Sequence, residues 1–400
     1  MQSLKIQWLK MQRLHVQGLS RDAATYCRMK HLVLLGAGHA HVHVLEGLAA
    51  RRPNNVRITL IAPQREQLYS GMVPGFVAGH YTLDQCVIPL DALLARSGAQ
   101  FVAGSGASIH ADAKTLTLHD GQTIAYDLLS VNTGSVMDRQ KIEAAMPGAI
   151  AHALFVRPID AFGKRWPQVA ATALQQPLHL VVVGAGAAGL ELAMAAAYLL
   201  AAPHNAPGSQ VTLITGGAPP AQSYPAGVQR RIRSALARRQ IAVLTDSCAG
   251  INAGEVVLGS GDRLACDIPL LAIGAQAPLW LAGSRLALDM QGFASVNRFQ
   301  QSTSHAQVFA AGDVASRIDA AHSRSGVYAV HAGPPLLHNL LAALSEQPLA
   351  PYAPPARTLN LLSCGSRHAI AAWGQFSVEG AWVWHLKDRI DRQFVRRYSK

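Results

Sequence analysis

The sequence predicts an α/β fold of two similar domains, with a small α+β region at the C-terminal end. Three observations support this prediction. Apolar runs at residues 31–35 and 178–183 have the length of buried strands. Each run leads into a glycine-rich turn and then into a helical apolar pattern, and a second apolar run follows at residues 56–61 or 211–214. Such strand–turn–helix–strand units build Rossmann-like dinucleotide-binding domains.

The composition is compatible with an enzyme of more than one domain. The 400 residues suffice for two or three domains of ordinary size, and half of them are hydrophobic. There are 35 Lys and Arg against 23 Asp and Glu, which gives a formal net charge of +12. This balance suits a phosphate-rich ligand, an anionic membrane surface or nucleic acid, and charge alone does not separate them. No uncharged apolar run reaches the length of about 18 residues that predicts a spanning helix.

The cysteines are scattered along the chain and have neither CxxC nor metal-like spacing. This usage argues against a disulfide framework and for a reducing compartment. The five residues are Cys27, Cys86, Cys248, Cys266 and Cys364.

Residues 1–29 form a leader outside the predicted domains. The leader is basic, has no acidic residue before Asp22, and lacks the apolar core of a secretory signal. Met29 stands immediately before the first strand. We interpret the leader as a disordered tail or a start-site artefact rather than as a targeting arm.

The second glycine-rich turn has the complete spacing Gly-x-Gly-x-x-Gly, and the first turn has the first two of these glycines. The first glycine makes the turn, the second lets the backbone approach a pyrophosphate, and the third allows close packing of the helix. The positive end of the helix dipole favours the negative ligand. The candidate binding residues are Gly36, Gly38, His39 and Ala40 in the first turn and Gly184, Gly186, Ala187 and Gly189 in the second.

Two positions depart from the usual pattern. His41 occupies the third glycine position of the first turn, which predicts a wider approach between helix and strand. The acid that usually binds ribose hydroxyls at the end of the second strand is replaced by Ala62 in the first unit and by Thr215 in the second. No single arginine near Thr215 is clearly placed to bind the 2′-phosphate of NADPH. The sequence therefore does not choose between NADH and NADPH.

Three further motifs carry a family resemblance. Residues 127–135 (DLLSVNTGS) resemble the Ala-Thr-Gly strand of flavoproteins with two dinucleotide-binding domains, and residues 270–274 (LLAIG) resemble its second copy. Residues 308–313 (VFAAGD) resemble the second FAD fingerprint of these proteins. Together with the two turns, these motifs stand in the correct order over residues 31–315. The chain therefore resembles the pyridine nucleotide-disulfide oxidoreductase superfamily.

A narrower resemblance rests on three other stretches. Residues 38–41 (GHAH), 69–75 (YSGMVPG) and 382–392 (WVWHLKDRIDR) are similar to bacterial relatives of type II NADH dehydrogenases. These relatives include proteins fused to or associated with selenophosphate synthetase.

The resemblance implies an FAD-binding domain with an inserted NAD(P)-binding domain. The FAD domain would comprise residues 30–140 and 274–330, the NAD(P) domain residues 141–273, and the C-terminal region residues 331–400. FAD and NAD(P)H are the implied cofactors, and Asp313 would bond the ribityl and pyrophosphate region of FAD. Beyond the two turns, the implied cofactor-binding residues are Thr133, Gly134, Gly274, Gly312, Asp313 and Ala329.

The resemblance also implies a reaction. NAD(P)H would pass a hydride to the flavin and electrons would then reach a quinone or another acceptor; the cofactor supplies this chemistry. Glu191 matches the catalytic glutamate that the family places near the nicotinamide, and a partly exposed helix acid is the alternative. Disulfide reductases of the superfamily carry a CxxxxC pair beside the flavin, but the corresponding residues 69–79 contain no cysteine. We therefore predict a reaction without a dithiol relay.

The acceptor site is the least regular part of the resemblance. Residues 326–333 fall where type II dehydrogenases carry an Ala-x-x-Ala-x-Gln quinone-site motif, of which Ala329 matches. Gly326 and His331 replace the alanine and the glutamine. His331 would donate a hydrogen bond to an acceptor or move protons, or else pack on the helix. An alternative function is a slow-turnover flavin redox partner or sensor linked to selenium metabolism.

Other kinds of site have little support. His39, His41 and His43 alternate, but a metal site needs three or four ligands and no carboxylate or cysteine stands nearby. Hydrolase motifs and nucleic-acid-binding modules do not occur. We predict no metal and no nucleic-acid partner.

The end of the chain is predicted to be a basic amphipathic helix. From Trp382 onward it carries six Lys or Arg against two Asp, interleaved with apolar residues. This pattern suits docking at an anionic membrane surface, and equally a helix that packs its apolar stripe on the FAD domain. We expect a cytoplasmic protein, and the first of these two alternatives would place it peripherally on the inner face of the cell membrane.

Overall fold

A computed structural model describes residues 29–400. The predicted leader therefore lies outside the described residues, apart from Met29. Within the described part, the predicted strands of both βαβ units are confirmed, with bounds within one residue of the prediction.

The strands, in chain order, are β1 (Lys30–Leu35), β2 (Val56–Ala62), β3 (Glu66–Leu68), β4 (Val87–Pro89), β5 (Gln100–Ala103), β6 (Gly106–His110), β7 (Thr115–Leu118), β8 (Thr123–Ala125), β9 (Leu128–Val131), β10 (Leu154–Phe155), β11 (His179–Val183), β12 (Gln210–Ile214), β13 (Ala242–Leu244), β14 (Cys248–Asn252), β15 (Glu255–Leu258), β16 (Arg263–Ala265), β17 (Ile268–Leu271), β18 (Ala294–Val296), β19 (Val308–Ala310), β20 (Ala315–Arg317), β21 (Leu359–Ser363), β22 (Ala369–Trp373) and β23 (Phe376–Gly380).

The α-helices are α1 (His39–Ala50), α2 (Val73–Val77), α3 (Asp91–Ser97), α4 (Arg139–Ala145), α5 (Ala149–His152), α6 (Ile159–Ala173), α7 (Ala187–Leu200), α8 (Ala226–Arg238), α9 (Gly326–Leu344) and α10 (Ala381–Tyr398). Short 3-10 helices cover Ser70–Met72, Asp84–Cys86, Leu279–Leu281 and Gly312–Val314.

The first domain is built on a parallel five-stranded sheet in the order β19–β9–β1–β2–β5. The central strand β1 is apolar because both faces of the sheet are covered: Leu32 and Leu34 pack in one apolar cluster with α1 and α9, Val33 packs in another with the antiparallel strands β6 and β7, and all three are fully buried. Helix α1 packs closely along α9, since a Cβ at Gly333 would lie 2.8 Å from Cβ of His43. The carboxyl ends of β1, β9 and β19 meet at one edge of this sheet.

The second domain repeats this architecture. Its parallel sheet has the order β10–β17–β11–β12–β13, and α7 packs against β11 and β12. In each domain an antiparallel three-stranded sheet, β6–β7–β8 or β14–β15–β16, precedes the strand that returns beside the first strand of the βαβ unit. The chain is thus α/β, with two Rossmann-like dinucleotide-binding domains and a C-terminal α+β region.

The C-terminal region consists of the antiparallel sheet β21–β22–β23 and helix α10. Helix α10 packs on this sheet and also on the first domain, where it touches β4, α1 and the 3-10 helix Ser70–Met72. The sheet is tied to the second domain by ion pairs of Glu379 with Arg231 at 2.9 Å and with Arg238 at 3.1 Å.

The C-terminal end of the first domain stays a prediction. The boundary at residue 330 falls inside the continuous helix Gly326–Leu344, and this helix packs on α1 of the first domain. We propose that the first domain extends to the end of α9. Among the described helices, none is both long and apolar enough to cross a membrane.

Candidate functional site

The first glycine-rich turn lies against the end of strand β9. Gly36 has φ +88°, and a Cβ at this position would lie 2.6 Å from the carbonyl oxygen of Asn132. A Cβ at Gly38 would lie equally close to the same oxygen, which accepts a hydrogen bond from the Gly38 N–H at 3.2 Å. Both positions therefore require glycine, because the turn and β9 are in backbone contact.

Asn132 joins the three strand ends of this site, and sequence reasoning missed its role. Its buried Oδ1 accepts hydrogen bonds from the backbone N–H groups of Ala40 at 3.1 Å and His41 at 3.2 Å. Its Nδ2 donates to the carbonyl oxygen of Ala311 at 2.6 Å. In the sequence, the signal that could have indicated this role is the asparagine at the alanine position of the Ala-Thr-Gly motif. Asn132 also explains Gly312, where a Cβ would lie 2.7 Å from Nδ2.

His41 occupies the third glycine position as a buried, hydrogen-bonded side chain. Its Nδ1 lies 2.5 Å from the carbonyl oxygen of Gly36, and its Nε2 lies 2.8 Å from Oγ of Ser130. Burial lowers the pKa of His41 to about 4, although the bond to Gly36 opposes this shift. The neutral imidazole thus fills the space between α1 and β9. This agrees with the wider approach of helix and strand that histidine at the glycine position predicts.

Asp313 lies on the 3-10 helix Gly312–Val314, directly after β19. Ser135 donates a hydrogen bond to Asp313 Oδ2 at 3.5 Å, and Arg157 Nη2 lies 3.7 Å from the same oxygen. Arg157 also donates to the Ser135 hydroxyl. Arg157 has no local motif that would have indicated this role, because it lies in the second domain, two residues after β10, and meets Asp313 only in the fold.

The residues around Asp313 leave room for a ligand. Gly134 has φ +75°, and a Cβ at this position would meet no heavy atom within 4 Å. Thr133 is exposed beside it. A partly buried carboxylate, an exposed hydroxyl and open space at the same edge of the sheet fit the ribityl and pyrophosphate part of FAD.

The second glycine-rich turn has the complete pattern and the matching geometry. A Cβ at Gly189 would collide with the carbonyl oxygen of Gly184, so the third glycine is required for the approach of α7 to β11. Gly186 and Gly274, by contrast, face open space, and Ala187 is exposed at the start of α7. An accessible helix N-terminus beside open glycines fits the pyrophosphate of a dinucleotide.

Thr215 gives a further sign of a ligand at this second turn. It directly follows β12, and its buried Oγ1 has no hydrogen-bond partner within residues 29–400. A buried hydroxyl without a partner is costly. The ribose of NAD(P)H would satisfy it at the position where an acid usually stands.

Glu191 lies on α7, four residues after the start of that helix. Its partly buried Oε1 accepts a hydrogen bond from the backbone N–H of Ser363 at 2.7 Å. Desolvation raises the pKa of Glu191 to about 7, while the nearby Lys387 ammonium opposes the shift. The assignment of Glu191 to the nicotinamide stays a prediction.

The remaining predicted site residues lie on α1 and α9. Partly buried His39 packs edge-on against Tyr69, with ring centroids 5.2 Å apart, and its Nε2 lies 3.4 Å from Oγ of Ser70. Ala329 is buried on α9 beside Gly312, whereas His331 is exposed on the same helix. In the described part of the chain, no group of three or more His, Cys, Asp or Glu side chains converges as a metal site would require.

The family model for pyridine nucleotide-disulphide oxidoreductases matches residues 30–327, which include both turns and Asp313. The chain belongs to this family. Membership implies FAD and NAD(P)H as cofactors and makes this oxidoreductase an NAD(P)H-dependent flavoprotein.

The oxidoreductase is similar to proteins that differ in their named activities. An NADH dehydrogenase-like protein of Mycobacterium tuberculosis is 27% identical over 375 residues, which cover 86% of this chain and 88% of that protein. The sulfide:quinone oxidoreductase of Aquifex aeolicus superimposes with a TM-score of 0.75 at 18% identity, over 92% of this chain and 91% of that one. NDH2 of Plasmodium falciparum, determined with NADH, gives a TM-score of 0.73 at 12% identity, over 93% and 99%. These two structures show that the fold is shared.

Within this oxidoreductase, the chain's own groups would position and shield the cofactors. FAD, when bound, supplies hydride acceptance from NAD(P)H and two-electron transfer to an acceptor. The first turn, Thr133, Gly134 and Asp313 would hold FAD. The second turn, Thr215 and Gly274 would hold NAD(P)H.

Proposed function

We propose that this oxidoreductase is a type II NADH dehydrogenase-like enzyme that passes electrons from NAD(P)H, through FAD, to a quinone-like acceptor without a cysteine relay. The observation that carries the proposal is the composition of residues 69–79, the segment that the family resemblance places beside the flavin. This segment has no cysteine, and residues 72–78 are buried.

The positions of the cysteines support a reaction without thiols. In residues 29–400 all four cysteines are free, and Cys86, Cys266 and Cys364 are buried. Burial raises the pKa of each of these three thiols to about 12, which disfavours the reactive thiolate. A dithiol relay requires two reactive thiols close together.

The surface of α10 supports an acceptor that is dissolved in a membrane. Trp382, Leu386 and Ile390 recur at every fourth residue and are 59%, 37% and 42% exposed. Arg389 and Arg396 are exposed on the same helix. Exposed apolar residues next to basic ones are typical of helices that lie at a membrane surface.

The other half of α10 packs on the protein. Trp384 is only 6% exposed and makes an edge-on contact with His80. The two alternatives for this helix are therefore combined: one face is covered, and we propose that the other meets the membrane.

The acceptor is tested by steady-state oxidation of NADH and of NADPH with three acceptors: a quinone analogue, ferricyanide and dioxygen. We expect the quinone analogue to support the fastest turnover. Rapid flavin reduction followed by slow turnover with every acceptor would contradict the proposal and favour a flavin redox partner or sensor. The redox partner or sensor is the second candidate function. It is favoured by His331, which replaces the glutamine of the quinone-site motif and is exposed.

A further inference from the structure

A cavity of about 300 Å³ lies in the first domain, next to strand β20. Its wall includes Ala315 and Arg317 of β20, Met290 in the turn before β18, and His322 and Arg324 in the loop before α9. The residues assigned above to FAD and to NAD(P)H do not belong to this wall. We call it the Arg317 cavity, and its volume is that of a small-molecule site rather than of a single bound water.

The guanidinium group of Arg317 has one nitrogen without a partner. Its side chain is 4% exposed, and Nε and Nη2 donate hydrogen bonds to the two carboxylate oxygens of Asp319, each at 3.0 Å. Nη2 also donates to the carbonyl oxygen of Tyr352 at 2.9 Å. Nη1 is buried and has no hydrogen-bond partner within residues 29–400. A buried, charged donor is costly to leave unpaired, so this nitrogen needs an acceptor.

Arg324 has the same property at the same cavity. Its Nη1 donates to Gln291 Oε1 at 3.1 Å and its Nη2 to Asp289 Oδ2 at 3.2 Å. Its Nε is buried and lacks a partner in the described part of the chain. The guanidinium carbon lies 3.5 Å from the ring centroid of Phe293, which restricts the group further. The cavity therefore offers two donor nitrogens whose positions are fixed by their neighbours, as recognition of a carboxylate or another oxyanion requires.

The charges around the cavity favour a ligand with one negative charge. The ion pairs of Arg317 with Asp319 and of Arg324 with Asp289 are each neutral. Hydrogen bonds from Arg317 hold the pKa of Asp319 below its usual range, and the nearby Arg298 lowers it further. Three arginines thus stand against two aspartates. A monoanion balances the remaining charge, whereas a dianion would add an uncompensated charge beside the two carboxylates.

Apolar surface borders these polar groups. The Met290 side chain is fully exposed, and Ile318, directly after Arg317, is 66% exposed. The ring of His322 is stacked on that of Tyr328 in α9, with centroids 4.5 Å apart, so it forms a flat part of the wall. A single exposed apolar residue is ordinary, but apolar side chains beside unpaired donors are typical of a site for an amphipathic ligand.

We propose that the Arg317 cavity binds a small organic monocarboxylate, whose carboxylate accepts hydrogen bonds from Nη1 of Arg317 and Nε of Arg324 and whose apolar body packs on Met290. The site is distinct from both glycine-rich turns. Ala315 in its wall is two residues after Asp313, so this ligand would bind close to the segment assigned to FAD. The inference concerns binding alone and does not depend on the electron acceptor.

The test uses the full chain loaded with FAD and labelled at its methionine methyl groups for NMR. Benzoate is the probe, benzamide is its neutral isostere, and inorganic phosphate is an oxyanion without an apolar body. Comparison with Met290→Leu assigns the Met290 methyl resonance. We expect benzoate to shift this resonance saturably, and we expect benzamide and phosphate to bind at least about 10-fold more weakly.

Two variants test the arginines. Arg324→Leu removes one donor and should weaken benzoate binding about 10-fold or more, and Arg317→Leu should do the same. If Arg317→Leu does not fold, Arg324→Leu decides. Arg65→Leu is the matched control and should bind benzoate like the wild type, because Arg65 also pairs with an aspartate and lies over a phenylalanine ring, but away from this cavity.

Four results would each overturn the proposal. They are no saturable shift with benzoate, equal affinity for benzamide, tighter binding of phosphate, and unchanged benzoate affinity in Arg324→Leu. Because FAD is present throughout, a cavity that FAD itself fills would give the first of these results. The titration contains no NAD(P)H, so a protein that fails to oxidise NAD(P)H would overturn the proposed function and still report on the cavity.

Discussion

Nε2 of His41 lies 2.8 Å from Oγ of Ser130, across the space where the family pattern has a glycine. The imidazole is fully buried, and its other nitrogen bonds the carbonyl oxygen of Gly36. Histidine thus stands where the family pattern has glycine, and both nitrogens of its ring have a hydrogen-bond partner inside the protein. This arrangement makes the first domain sensitive to protonation.

We expect His41 to make unfolding easier in acid. Its pKa is lowered to about 4 in the folded protein from 6.5, so the unfolded chain binds more protons between these values. Stability therefore falls as the pH drops from about 6.5 towards 4, by about 3 kcal/mol from this residue. Denaturant unfolding of the apoprotein at several pH values measures the loss. His41→Gln should show a smaller pH dependence than the wild type, and equal slopes in the two proteins would contradict the prediction.

We expect Asp313→Ala to weaken FAD binding by about 10- to 100-fold. A carboxylate bonded to ligand hydroxyls contributes on the order of 1.5–3 kcal/mol. Fluorescence titration of apoprotein with FAD measures the affinity, and Asp313→Asn should be intermediate. Glu66→Ala, an exposed change in the same domain, is the control. Full FAD occupancy of Asp313→Ala at limiting FAD would refute the assignment.

Gly189→Ala should impair NAD(P)H binding and leave FAD binding intact. The added methyl group meets the carbonyl oxygen of Gly184, and overpacking of this kind costs about 1–3 kcal/mol. Gly283→Ala, at which a Cβ meets open space, is the matched control. Stopped-flow flavin reduction at increasing NADH concentrations gives the apparent affinity. If Gly189→Ala weakened FAD binding as much as NAD(P)H binding, the substitution would not act on the second domain alone, and the prediction would be wrong.

Flavin reduction by NAD(P)H should survive replacement of all five cysteines by alanine. Each buried thiol lost from Cys86, Cys266 and Cys364 is expected to cost about 1 kcal/mol of stability. Chemistry should remain because no thiol lies in residues 69–79. The measurement is flavin bleaching under anaerobic conditions, with FAD content and circular dichroism as controls for folding. A folded, FAD-loaded variant that NAD(P)H cannot reduce would overturn the cysteine-independent reaction.

The exposed face of α10 should bind anionic vesicles. Each Lys or Arg near such a surface contributes on the order of 1 kcal/mol, so added salt should weaken binding. Replacing Trp382, Leu386 and Ile390 by serine should reduce co-sedimentation. The control variant Leu279→Ser/Met290→Ser removes exposed apolar residues from another surface. Binding that is absent, or indifferent to lipid charge and salt, would exclude the proposed membrane contact.

Much of the fold and part of the site could be predicted because the signals are local. Apolar runs, glycine spacing and the helical pattern each depend on a few consecutive residues, and the strands of both βαβ units lie where these patterns predict them. The third glycine of the second turn and the position of Asp313 follow from the same short motifs. The C-terminal helix was also predictable from its periodicity, but the sequence left open which face is covered.

The sequence by itself determined the two dinucleotide-binding domains, their order and the residues of the two glycine-rich turns. Only the tertiary structure decided how these parts are joined. Asn132 bonds Ala311, 179 residues away, and Lys387 bonds Gly71, 316 residues away. Such contacts depend on the packing of strand ends and helices that no local pattern encodes. For the same reason Lys387 counted in the sequence as one positive charge of a basic tail, whereas the fold buries it against Asp391 and the carbonyl group of Gly71.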